Sequence, residues 1–202
     1  MIYRLFPIAV LGALLSGGTE VFAAGDVGRG AQKARACSQC HGPNGIAPNP
    51  QWPDLASQTA GYLVKQLEDF KNGLRHSPVM APQATALSDT DIADLAAYFA
   101  QAVPAGRKSG DATLLQLGEQ VYRNGHAGTT TAACVACHGP NGGGIPPRVP
   151  RVAGQSAIYS EAQLLAFKKG KRNNDNKIMS EIVLDMSERE IRAVAQYMQT
   201  LY

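Results

Sequence analysis

The nine residues CSQCHGPNG, Cys37 to Gly45, return as CVACHGPNG, Cys134 to Gly142, and the 202-residue chain has no cysteine outside these two copies. A motif repeated at a separation of 97 residues constrains the fold more than composition can, because it demands two sites of one kind in one chain. The repeat runs well past the motif. Gln58 pairs with Gln155, Tyr62 with Tyr159 and Phe70 with Phe167 at the same separation, whereas Ser88 and Ser187, Ile92 and Ile191, and Tyr98 and Tyr197 stand 99 apart. Two residues therefore enter the second half after Gly170, and the run GHAGTTTAA ahead of the second motif is a further insertion of that half.

The segment VPAGRKSGD, Val103 to Asp111, combines Gly, Pro and charge as linkers do. The chain thus divides into 24–103 and 112–202, joined by 104–111. Each half falls somewhat under 100 residues, small for a core of side chains alone, and a bulky buried cofactor would enlarge that core. Ahead of both halves, Arg4 precedes the apolar run LFPIAVLGALL and then Val21-Phe22-Ala23-Ala24, the pattern of a secretory leader over 1–23. The run is too short to span a bilayer. The expectation is export to the periplasm and a mature chain without a transmembrane segment.

Helix signals dominate both halves. Ser88 with Asp91, and Ser187 with Glu190, fit the capping box, and apolar residues follow at helical spacing: Ile92, Leu95, Ala96 and Phe99, then Ile191, Val194, Ala195 and Met198. Middle helices are expected over Tyr62 to Lys71 and Tyr159 to Lys169, and opening helices over Gly28 to Ala36 and Leu114 to Arg123. The Pro- and Gly-rich GPNGIAPNPQWPD and GPNGGGIPPRVPR read as loops that wrap something. The fold class is all-α.

In C-x-x-C-H the two thiols are spaced to add across the two vinyl groups of haem, and the adjacent histidine is placed to ligate the iron. A four-cysteine zinc site needs no histidine after either pair, and a redox-active C-x-x-C calls for strand and helix alternation that is absent here. Two covalently attached haem c groups are the expectation, bound through Cys37, Cys40 and His41 and through Cys134, Cys137 and His138. For the sixth ligand the repeat sorts the methionines. Met80 and Met179 each lie eight residues before their capping serine, whereas Met186 and Met198 stand opposite Leu87 and Phe99 and read as core fillers. His76 and His126 have no histidine at the equivalent position and read as solvated loop residues.

Two such halves, each with C-x-x-C-H, a G-P-N-G loop, a P-x-[LV]-A-x-Q segment and a late methionine, resemble the dihaem cytochrome c4 family, two class I cytochrome c domains in tandem. The resemblance covers essentially the whole chain after the leader. It implies His/Met axial ligation by His41 and Met80 and by His138 and Met179, with Pro53 and Pro150 lining the haem pockets on the histidine side. One departure is Ala56-Ser57-Gln58 where the second half has Ala153-Gly154-Gln155.

A closed His/Met sphere leaves no room for substrate and describes a carrier rather than an enzyme. The expected role is one-electron transfer from a quinol-oxidising complex to a terminal oxidase, membrane-bound in that reading, or to another periplasmic acceptor. The alternative is the dihaem subunit of a dehydrogenase complex, such as a flavocytochrome sulfide dehydrogenase. A dihaem peroxidase would need one displaceable ligand and a different pair of domains. The net charge of +3 is too small for a nucleic-acid protein. It is unevenly spread, −1 over 24–104 and +4 over 105–202. Lys168, Lys169, Lys171, Arg172 and Lys177 crowd one stretch of the second half and are expected to form a docking patch for a redox partner.

Overall fold

The computed structural model describes residues 25–106, 110–126 and 132–201. The expected leader over 1–23, linker residues 107–109 and part of the GHAGTTTAA insertion lie outside the described residues. The architecture is all-α. In the first half α1 (Val27–His41), α2 (Ala60–Lys71), α3 (Met80–Thr85) and α4 (Asp89–Gln101) follow in order; in the second come α5 (Ala112–Asn124), α6 (Val135–His138), α7 (Ala157–Lys168), α8 (Ile178–Val183) and α9 (Glu188–Thr200). Among the described residues the only β pairing is the isolated bridge between Ile145 and Val149. No described helix is long and apolar enough to cross a membrane.

Both expected capping boxes are present: Ser88 accepts from Asp91 N–H and Ser187 from Glu190 N–H, while each acid accepts from its serine's backbone. The helices that follow bury the apolar faces read from the sequence and pack on the opening helix of their own half, α1 on α4 and α5 on α9. Each crossing is closed by a glycine. A Cβ on Gly30 would lie 2.1 Å from the Asp94 carbonyl oxygen, and one on Gly118 would lie 2.1 Å from that of Ala193. Gly30 and Gly118 are 88 residues apart, nine fewer than the motifs, which is the length of the GHAGTTTAA insertion.

The middle helices pack on the closing ones, α2 on α4 and α7 on α9, and carry the short α3 and α8 that the periodicity did not signal. Two further differences concern the motif. The opening helix of the first half does not stop near Ala36 but runs through CSQCH to His41; that of the second half stops at Asn124, and α6 begins anew at Val135. Phe99, Leu95 and Leu63 centre the first core, whereas the second is larger and includes Tyr122, Phe167, Met186, Ile191 and Met198. Met186 and Met198 are thus core residues. Ser57 sits at φ 61°, the left-handed region that Gly154 occupies at φ 74° without a Cβ.

Candidate haem sites and the interface between the halves

His41 and His138 are both buried, and in each the Nδ1 faces a proline carbonyl of the wrapping loop, Pro53 O at 2.9 Å and Pro150 O at 3.0 Å. A carbonyl only accepts, so Nδ1 carries the proton and Nε2 keeps its lone pair, the tautomer a metal-ligating imidazole needs. Burial holds both imidazoles below the ordinary histidine range, against the upward pull of the proline carbonyls. The loop is held by its own turn: Gly45 O accepts from Leu55 and Ala56 N–H, and Gly142 O from Val152 and Ala153 N–H.

Cys37, Cys40, Cys134 and Cys137 form no disulfide. Burial raises the Cys37 thiol and pushes that of Cys134 up to about 11, opposite to the shift that activates a disulfide-exchanging C-x-x-C. Cys37 packs on the first core and Cys134 on the second, where Met179 also packs. Met80 opens α3 and Met179 is the second residue of α8, both half-buried. Unpaired thiols, an imidazole with a free Nε2 and a thioether at the matching place in each half are a donor set that fits a tethered haem. The remaining histidines stand apart from it. His76 is exposed, and the half-buried His126 pairs its Nδ1 with Glu190 Oε1 at 2.6 Å.

The halves meet through reciprocal bonds. Gln58 accepts from Arg151 N–H (2.9 Å) and donates to Arg151 O (2.8 Å); Gln155, its repeat partner, accepts from Asp54 N–H (2.9 Å) and donates to Asp54 O (2.9 Å). Two arginines repeat the pattern. Arg75 donates to Tyr159 and Gln163 of the second half, both at 2.9 Å, and to Gln66 of its own. Arg172 donates to Tyr62 (2.8 Å) and Gln66 (3.2 Å) of the first half and to Gln163 (2.8 Å) of its own. Each guanidinium also lies over a phenylalanine of its own half, Phe70 at 4.6 Å and Phe167 at 4.5 Å.

This corrects the expected docking patch. Arg172 is spent on the interface, where its guanidinium donates to Tyr62, Gln66 and Gln163 and lies over the Phe167 ring. Lys168 lays its ammonium on the carbonyls of Leu184 (2.5 Å) and Met186 (2.6 Å), as its repeat partner Lys71 does on Leu87 O (2.9 Å). Lys169, Lys171 and Lys177 remain exposed. The arginine pair leaves its own signal in the sequence: Arg75 and Arg172 keep the separation of 97, so the added residues lie between Arg172 and Met179.

The Cytochrome c family profile matches the chain twice, over residues 26–102 and 116–202. A cytochrome c4 of Pseudomonas aeruginosa is 42% identical over 89% of this chain and 90% of its own length. A thiosulfate dehydrogenase electron acceptor of Stutzerimonas stutzeri is 37% identical over 95% and 93%. The crystal structure of reduced recombinant cytochrome c4 from Pseudomonas stutzeri superposes with a TM-score of 0.84 at 36% identity, covering 89% of this chain and all of that one. Two matches to a haem-binding family, each on one C-x-x-C-H half, mean two c-type haems in one chain. The chain belongs to the cytochrome c family and, within it, to the dihaem cytochromes c4.

Proposed function

We propose that the protein is a periplasmic one-electron carrier whose two haems are tethered by Cys37 and Cys40 and by Cys134 and Cys137, with His41 and Met80 as axial ligands in the first half and His138 and Met179 in the second. The observation that carries this reading is the matched pair of imidazoles, each fixed by a proline carbonyl with Nε2 free, in halves that each place a half-buried methionine at the start of a short helix. The haem would supply the one-electron iron couple. The chain fixes each imidazole's tautomer, buries the histidines away from water and holds the two halves in register. A methionine opposite histidine favours ferrous iron and raises the potential. Haem content should be two per chain. Met179→Ala should open one iron to carbon monoxide and lower its potential, while Met186→Leu, at a core position, should do neither; opening by the Met186 change alone would refute the assignment.

The donor is a quinol-oxidising complex and the acceptor a terminal oxidase or another periplasmic protein, met through the exposed Lys169, Lys171 and Lys177. Charge reversal at Lys169 and Lys171 should slow transfer to the acceptor at low salt and leave both midpoints unchanged. A second reading, acceptor or subunit for a periplasmic dehydrogenase, draws support from the relative named as a thiosulfate dehydrogenase electron acceptor. Turnover with candidate dehydrogenases separates the two.

A further inference from the structure

The two methionines are not held alike. In the first half the Met80 N–H is met by a neutral hydroxyl, Ser77 Oγ at 3.1 Å; in the second the Met179 N–H is met by a carboxylate, Asp175 Oδ2 at 2.7 Å. The other carboxylate oxygen, Oδ1, is buried and takes no hydrogen bond among the described residues. The segment that carries Asp175 includes the residues added to the second half, and it is pinned across the interface. Asn174 Nδ2 donates to Gln66 Oε1 (3.1 Å) and to Asp69 Oδ2 (2.5 Å) of α2, and Lys65 donates to Asn174 O (2.7 Å).

Holding a methionine N–H needs only a neutral acceptor, as Ser77 demonstrates. A half-buried carboxylate with one buried oxygen left without a hydrogen bond costs more than a serine does. What it adds over the first half is a negative charge, felt by the Arg172 guanidinium, on a segment clamped across the interface.

We propose that Asp175 sets the potential of the second iron apart from that of the first. A negative charge beside the Met179 backbone favours the ferric over the ferrous state and lowers the midpoint of that couple alone. The inference rests on Met179 being the axial ligand. Asp175 is a positioning residue that also supplies charge, and the two roles separate on substitution.

The experiment is a two-couple redox titration of the intact dihaem protein, each couple assigned by the shifted methyl resonance of its own methionine. Asp175→Asn keeps an acceptor for the Met179 N–H and removes the charge. The ferrous-to-ferric ratio of the second iron at fixed potential should rise about tenfold, ~59 mV for one electron, with the first couple unmoved. Asp175→Glu should stay near the parent value, and Ser77→Asp should lower the first midpoint instead. An unmoved second midpoint in Asp175→Asn with the Met179 resonance intact overturns the proposal, as does equal movement of both couples. Should Asp175→Asn fail to fold, an unmoved first midpoint in Ser77→Asp overturns it. A parent protein without a Met179 resonance refutes the ligand assignment itself.

Discussion

In the first half the C-x-x-C-H motif is the end of one unbroken helix, α1; in the second the opening helix stops at Asn124 and the motif resumes on the separate four-residue α6. The imidazoles nonetheless reach their proline carbonyls at 2.9 and 3.0 Å. The histidine is therefore placed by the wrapping loop rather than by helix continuity. What the second half loses in backbone it regains in a side chain. Tyr122 is fully buried where the first half, 88 residues earlier, has the buried Ala34, and its hydroxyl donates to Gly139 O at 2.6 Å, tying α5 to the residue after His138. Duplication kept the crossings, caps and clasps and let the connections between them drift.

The sharpest way to break this comparison is at the crossings, where the halves agree most. Gly30→Ala and Gly118→Ala would each drive a Cβ into backbone, and each should cost about 3 kcal/mol, read by urea unfolding as selective loss of its own half. A variant of either glycine that unfolded both halves together would show that the interface dominates. The interface is tested next. Arg75→Ala and Arg172→Ala each strip a tyrosine hydroxyl and amides of a charged donor, and each should cost about 2 kcal/mol and slow electron exchange between the haems, measured after pulse reduction.

Tyr122→Phe should cost about 1 kcal/mol in the second half alone, because it removes the tie that stands in for the missing helix turn. The smallest effect belongs to the cap acids. The hydrogen bond from Lys33, then those from Ser88, hold Asp91 at about 2; burial pushes Glu190 up, but Ser187 and His126 together bring it below the ordinary range. Carboxylates depressed in the folded state contribute stability above their unfolded values and lose it as pH falls through the folded ones. Acid titration by circular dichroism should therefore show Lys33→Ala unfolding the first half at higher pH. His126→Ala should shift the second half the same way by less, since Ser187 lowers Glu190 more than His126 does, whereas Lys33 is the largest cause at Asp91.

The parts of this fold legible in the sequence are those that periodicity and spacing encode. Ser88 and Ser187 announce their helices, the repeat separates Met80 and Met179 from the core residues Met186 and Met198, and Gln58 and Gln155 stand in register. The run of cations after Phe167 was not legible. Five neighbouring charges look alike in a sequence, but Arg172 is drawn under a tyrosine and over a ring, Lys168 caps two carbonyls, and only a three-dimensional neighbour decides which charge stays in water. The extent of α1 is less legible, since its last turn is held where His41 meets Pro53 O, and of its closing turns only Ala34 and Cys37 lie on the first core.

The glutamine clasp has an evolutionary reading. Because Gln58 grips the second half as Gln155 grips the first, the contact surface is isologous, the same patch used on both sides of a twofold axis. Such a surface needs to arise only once, in a single-haem ancestor that pairs with its own copy. Fusing two such copies through a short tether changes no contact. It replaces a concentration-dependent encounter by an effective concentration of the order of millimolar, so the pair persists at any dilution. Once the partners are permanent, selection can act on one without altering the other, and the added residues around Asn174 and the broken opening helix are the record of that freedom.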